Sequence, residues 1–183
     1  MKLQLIAPTE KVRESFLRGL REFRHEGLPW HLAVDLEAVE RDFAAFVAGK
    51  LADAHRTTDA FVPRTHLWAI AEIAEIAEID GVESPAFVGR ISILHALTDA
   101  LRIEGGQIGY DTVPSFRGRG VAREMLRQAL PMARARGFTE VLLTCDDTNA
   151  ASIRVIESNG GVLRETRSID AKRPLKRYYW IAL

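Results

Sequence analysis

The chain has 183 residues, with 25 Lys and Arg against 25 Asp and Glu, and 47% of its residues are hydrophobic. Zero formal charge excludes a general nucleic-acid coat, which needs a basic excess, and the apolar share excludes a disordered charged tail. One cysteine, Cys145, excludes an internal disulfide framework or a multi-cysteine metal cluster, and no apolar run of about 18 residues is present to span a membrane. The apolar run at residues 3–7 is too short for a signal peptide, so one cytoplasmic domain covering residues 1–183 is expected.

Residues 3–6 alternate and predict a strand closed by Pro8. Val12, Phe16, Leu20 and Phe23 then share a helical face, with Thr9 as N-cap. Residues 25–31 break the pattern as a loop. A second helix is expected over residues 36–51, where Leu36, Val39, Phe43, Phe46, Val47 and Leu51 share a face and Asp35 stands as cap. Residues 55–65 are polar and read as loop. Residues 67–70 predict a strand. The Ala-Glu-Ile repeat at 71–79 fits neither period and is read as strand running into a hairpin at Asp80-Gly81, with residues 86–95 as the returning strand.

A strand is expected at 107–113, closed by Pro114. The helix after it has Val121, Met125, Leu126, Ala129, Leu130 and Ala133 on one side; Pro131 inside predicts a kink, and Gly137 ends it. A strand at 140–145, a helix at 149–158 and strands at 162–167 and 176–182 complete the chain. Helices alternate with strands only in the second half, which predicts a mixed sheet rather than a wholly parallel one.

The informative stretch is Arg117-Gly118-Arg119-Gly120-Val121-Ala122-Arg123, between a strand and a helix. Glycines allow close backbone approach, and the first helical turn offers unpaired amides at the positive end of the dipole. Such a place suits a diphosphate, although a glycine turn that merely starts a helix has the same look. No Gly-Lys-Ser/Thr follows, which excludes a Walker loop. Arg123 stands where a dinucleotide fingerprint wants its third glycine, and four residues separate strand from glycines.

Arg117-x-x-Gly120-x-Ala122 resembles the Arg/Gln-x-x-Gly-x-Gly/Ala diphosphate motif of the GCN5-related N-acetyltransferases (GNAT). The element order is similar to that family's, and residues 147–161, from Asp147-Thr148-Asn149 to Asn159-Gly160-Gly161, resemble its second cofactor segment. The resemblance implies an α/β acyltransferase fold, with helices flanking a mixed, mostly antiparallel sheet and a central parallel strand pair that splays apart. It implies acetyl-coenzyme A as co-substrate and direct attack by a primary amine in a ternary complex. Backbone groups of Thr112 and Val113 would meet the pantetheine arm, and amides of Gly118, Arg119, Gly120, Val121, Ala122 and Arg123 the diphosphate. Asn149 and Ser152 would reach the arm from the following helix, Asn149 serving also as N-cap. Many relatives form homodimers. Trp30 and Phe61 lie in segments that border the acceptor side.

At two positions the sequence departs from the family. Gln107 stands near the place of a glutamate base, and Ile156 where many relatives carry a tyrosine. His95 and Asp111 are the remaining candidates for acid–base work. The departures also motivate an alternative, a non-catalytic acyl-coenzyme A-binding module. The five histidines are scattered, so no metal is expected. The basic run at 172–177 is read as a solvated hairpin turn rather than a nucleic-acid patch.

Overall fold

Strand alternation and helical periodicity sort the chain into two sheets with helices packed on them. The computed structural model describes residues 2–27, 33–58, 61–72 and 85–183. The expected hairpin through the 71–79 repeat and the expected roles of Trp30 and the loop around it lie outside the described residues. The first sheet has the order β1 (Leu3–Ile6), β2 (Arg64–Ala71), β3 (Ala86–Leu94), β4 (Ile108–Thr112). The second is β5 (Glu140–Asp146), then β7 (Lys176–Ala182) in the middle, then β6 (Val162–Arg167).

Between the strands run helices α1 (Arg13–His25), α2 (Leu36–Arg41), α3 (Phe43–Ala52), α4 (Asp99–Ile103), α5 (Val121–Ala135) and α6 (Ala150–Glu157). A 3-10 turn at Glu10–Val12, capped by Thr9, leads into α1. The periodic face of α1 puts Phe16 at the centre of an aromatic cluster. Its ring stacks on Trp68 at 4.5 Å and meets Phe87 at 4.8 Å, Phe46 at 5.4 Å and Phe43 at 5.5 Å. Such pairs add about 0.5–1.5 kcal/mol each beyond their buried area. On α5, Val121, Met125, Leu126, Ala129 and Ala133 are buried. Gln128 clips the outer strand to this helix: its Oε1 accepts from the Leu5 amide at 3.0 Å and its Nε2 donates to the Leu3 carbonyl at 2.9 Å. One buried cluster runs from Leu3 to Ile181.

Two expectations are corrected here, and one helix is added. The single helix over 36–51 is two, because Asp42 leaves helical geometry (φ −140°) and its carboxylate accepts from the Ala45 amide at 2.9 Å as the N-cap of α3. The short α4, started by Thr98, was not anticipated, and Pro131 lies inside α5. The sheet is not mixed: every registered pairing is antiparallel. The central parallel strand pair that splays apart is not seen as such: β4 and β5 share no ladder and meet at one joint. There the Gln107 amide donates to the Leu142 carbonyl at 2.7 Å, and the Leu142 amide donates to the side-chain Oε1 of Gln107 at 3.1 Å. A side chain thus takes the place of the next backbone rung. The preceding Gly106 (φ +71°) approaches so closely that a Cβ would lie 2.4 Å from the Leu142 carbonyl oxygen. Beyond the joint no ladder holds the strands together.

Candidate active site

A cleft of about 700 Å³ lies between the end of β4, the start of α5 and one face of α6. Its form follows from how α5 begins. Helices α2, α3, α4 and α6 each have a side-chain cap, from Asp35, Asp42, Thr98 and Asn149. Helix α1 continues from its 3-10 turn. The N-cap of α5 is Gly120, in the left-handed conformation (φ +81°), with no side-chain cap. A Cβ at Gly120 would meet nothing within 4 Å, so backbone conformation rather than crowding selects glycine here. The first-turn amides of α5 therefore face the cleft without a side chain over them.

The loop leading to this terminus is braced from α1. The Arg117 guanidinium makes a two-pronged ion pair with Glu26, and its Nε donates to the Thr112 carbonyl at 3.3 Å. The amide and hydroxyl of Ser115 donate to the Glu22 carboxylate at 2.9 and 3.0 Å.

Most of the expected residues converge. Asp111, Thr112, Gly118, Gly120, Val121, Ala122, Arg123, Asn149 and Ser152 all border the cleft. Val113 does not: it is fully buried, and its amide donates to the Val88 carbonyl at 3.0 Å. Arg119 is exposed and also lies off the cleft wall. Asn149 caps α6, its Oδ1 accepting from the Ser152 amide at 3.0 Å. Asp111 is engaged by Arg90, whose Nε donates to its carboxylate at 2.9 Å.

His95 is not brought to the cleft. Its Nε2 is hydrogen-bonded with the Thr65 hydroxyl at 2.9 Å, and Arg136 donates to that same hydroxyl at 2.8 Å. Arg136 ends α5, and a helix of 15 residues places its two ends about 22 Å apart at 1.5 Å per residue. Partial burial, then the charges of Arg136 and His55, hold the His95 pKa below its ordinary value. Gln107 is buried at the strand joint, and Ile156 is packed in the core. Phe61 has the guanidiniums of Arg56 and Arg64 over its ring, at 4.6 and 4.7 Å from the centroid, and is not on the cleft wall. In the basic run, Arg173 pairs with Glu104 and Lys176 donates to Asp146 at 2.5 Å, as suits a hairpin turn.

Tyr110 was missed. Its side chain lines the cleft, and its buried hydroxyl, like that of Thr112, makes no hydrogen bond of ordinary length among the described residues. Burial pushes its pKa up to about 12, with nearby Ser152 opposing. The signal was present in the strand period, which sets residues 110 and 112 on one face. Cys145, across the gap on β5, is buried, and burial pushes its thiol up to about 11, the state of an inert thiol.

Buried hydroxyls without partners, uncapped amides and glycines facing open space fit a long polar ligand ending in a diphosphate. Comparison with known proteins agrees. A family model described as "Acetyltransferase (GNAT) domain" matches residues 3–162. Comparison with curated protein sequences gave no significant match. Among solved structures, the microcin C7 self-immunity acetyltransferase MccE, in complex with acetyl-CoA and AMP, superposes with a TM-score of 0.68 at 12% identity, covering 100% of this chain and 93% of that one. The ribosomal L7/L12 alpha-N-protein acetyltransferase RimL, in complex with coenzyme A, gives 0.67 at 16% identity, covering 100% and 95%. A spermidine N-acetyltransferase SpeG chimera from Vibrio cholerae and hSSAT gives 0.61 at 14%, covering 100% and 96%. At these identities the superpositions speak for the fold.

Proposed function

This chain belongs to the GNAT acetyltransferase family and is an acetyl-CoA-dependent N-acetyltransferase, and we propose that one cytoplasmic domain transfers the acetyl group to a primary amine by direct attack in a ternary complex. The observation that carries the assignment of the site is the uncapped start of α5. Its open amides beside Gly118, Gly120, Val121, Ala122 and Arg123 take the diphosphate. The region between β4 and α6 then takes the pantetheine arm, with Thr112 and Ser152 on its walls. One continuous core supports the single domain, and among the described residues no helix is long and apolar enough to cross a membrane.

The amine must be unprotonated to attack, and the thioester oxygen gains negative charge as it does so. His95 is remote from the cleft and Asp111 is ion-paired, so the chemistry is assigned to positioning: acetyl donor and amine are held together, and the amine enters in its neutral form. The acceptor is a primary amine. MccE acts in microcin C7 self-immunity, RimL on a ribosomal protein and SpeG on spermidine, so similar folds serve dissimilar acceptors and the fold does not select among them.

Calorimetry with coenzyme A and with acetyl-coenzyme A tests the site, and a thiol-release assay over a panel of amines tests the reaction. Heat of binding with thiol release on at least one amine is the expected result. Binding without release on any amine supports a non-catalytic module instead, and no heat with either compound removes the assignment.

A further inference from the structure

The uncapped helix start explains a diphosphate, but not the cleft's buried hydroxyl on β4. The Tyr110 oxygen is out of solvent and makes no hydrogen bond of ordinary length among the described residues, Ser152 being only a weak hydrogen-bonding neighbour, although its ring lines the cleft. A hydroxyl kept dry in this way costs stability unless a ligand atom completes it. Its surroundings narrow what that atom can be. Ser152 faces it from α6, and Cys145 is close enough across the gap for their charges to be felt. Cys145 does not line the cleft. Thr112, the second unpartnered hydroxyl, lies two residues nearer the diphosphate end of the same strand face. Tyr110 therefore meets a part of the ligand further along the arm, towards the thioester.

Resting on the acetyl-transfer reading, we infer that Tyr110 donates a hydrogen bond to the coenzyme A sulfur as the thioester breaks, stabilising the departing thiolate. The amine nitrogen bonds to the acetyl carbon, the carbon–sulfur bond breaks, and its electron pair goes to sulfur. One proton leaves nitrogen and one arrives at sulfur, so the balance closes without an outside acid. The phenol keeps its own proton. With its pKa raised to about 12 it is a weaker acid than a thiol, whose ordinary value is about 8.5. It acts as a fixed dipole aimed at charge that develops during reaction. Ile156, buried in the core, supplies nothing to this step.

The test reads the thiol rather than turnover, so it does not depend on knowing the acceptor. The full chain is saturated with coenzyme A, and the bound thiol is titrated by thiolate absorbance, with the ligand-free protein subtracted to remove Cys145 and the tyrosines. Wild type, Tyr110→Phe and Ser152→Ala are compared. The charged groups bordering the cleft, Glu26, Asp111, Arg117, Arg123 and Arg154, are common to all three. The expected result is a bound-thiol pKa higher in Tyr110→Phe by about one unit, a tenfold loss of thiolate preference. Acetyl-coenzyme A affinity stays within about threefold, since the phenyl ring is kept, and kcat on a working amine falls about tenfold or more, the lower edge of what one lost donor costs. An unmoved thiol pKa in Tyr110→Phe, or a shift confined to Ser152→Ala, overturns the inference while leaving the acetyl-transfer reading in place. No coenzyme A binding by wild type overturns both.

Discussion

The two ends of α5 are built from the same helix and treated in opposite ways. At its C-terminal end, Gly137 (φ +89°) turns the chain and its amide donates back to the Arg134 carbonyl at 2.9 Å. Arg136 beside it is tied to Thr65. At its N-terminal end a left-handed glycine also turns the chain, but no side chain covers the amides that follow. Helix α6, which opens onto the same cleft, gives the control: Asn149 caps it. Of the six helices among the described residues, four spend a side chain on their first turn, so the bare start of α5 is not the habit of this sequence. A terminus left unsatisfied beside a cleft is a binding feature; a satisfied one is architecture.

The sharpest way to break that comparison is Gly120→Leu. A leucine at φ +81° is strained by roughly 1–2 kcal/mol, and its side chain enters space that is open. Coenzyme A affinity is expected to fall at least about a hundredfold, roughly 2.8 kcal/mol at 1.4 kcal/mol per decade, with circular dichroism unchanged. Calorimetry measures the first, and an affinity within about threefold of wild type ends the assignment of the diphosphate to α5.

Next in size is Gln107→Ala. The side chain's Oε1 is what the Leu142 amide donates to inside the joint. Its removal leaves that buried donor unpaired, a loss of about 1–3 kcal/mol in urea denaturation. A loss below about 0.5 kcal/mol means that water replaces the side chain and that the Gln107 oxygen is not what holds the joint. Asn149→Ala follows, at about 1 kcal/mol for a lost cap. Here the comparison predicts a split: stability falls, while coenzyme A affinity changes by less than about tenfold because the α5 amides remain. If affinity falls as far as in Gly120→Leu, the two helix starts share the anion and the contrast between them fails.

These same residues show what could be read in advance. The strands at 162–167 and 176–182 and the face of α5 follow from local period alone, and the sequence reading located them. The glycine motif was legible because left-handed turns leave a chemical signature in residue type. The break at Asp42 was hidden by the periodic apolar positions on both sides of it, although aspartate is a strong N-cap. The antiparallel separation of the sheets was hidden more deeply. Where the sheets meet, Gln107 is bonded to Leu142, 35 residues away, and no local pattern records which side chain will stand in for a backbone rung. Tyr110 was in plain view on the right strand face, but only burial of its hydroxyl distinguishes it from any other strand tyrosine.

The smallest expected effect belongs to the closed end of α5, and it is where a histidine invites a catalytic reading. His95→Gln should leave kcat and kcat/KM within about twofold. In wild type the ring is hydrogen-bonded to Thr65, and its folded pKa lies below its ordinary value. A histidine so placed binds protons less tightly folded than unfolded, so stability is retained above the unfolded pKa of about 6.5 and is lost as pH falls through it towards the folded value. The substitution therefore flattens, slightly, the acid side of the denaturation midpoint plotted against pH. It leaves the acid limb of the pH–rate profile where it was, because that limb follows groups in contact with substrate. A limb that moves or disappears in His95→Gln makes the imidazole part of the proton path despite its distance, and then the closed end of α5 is not closed to function.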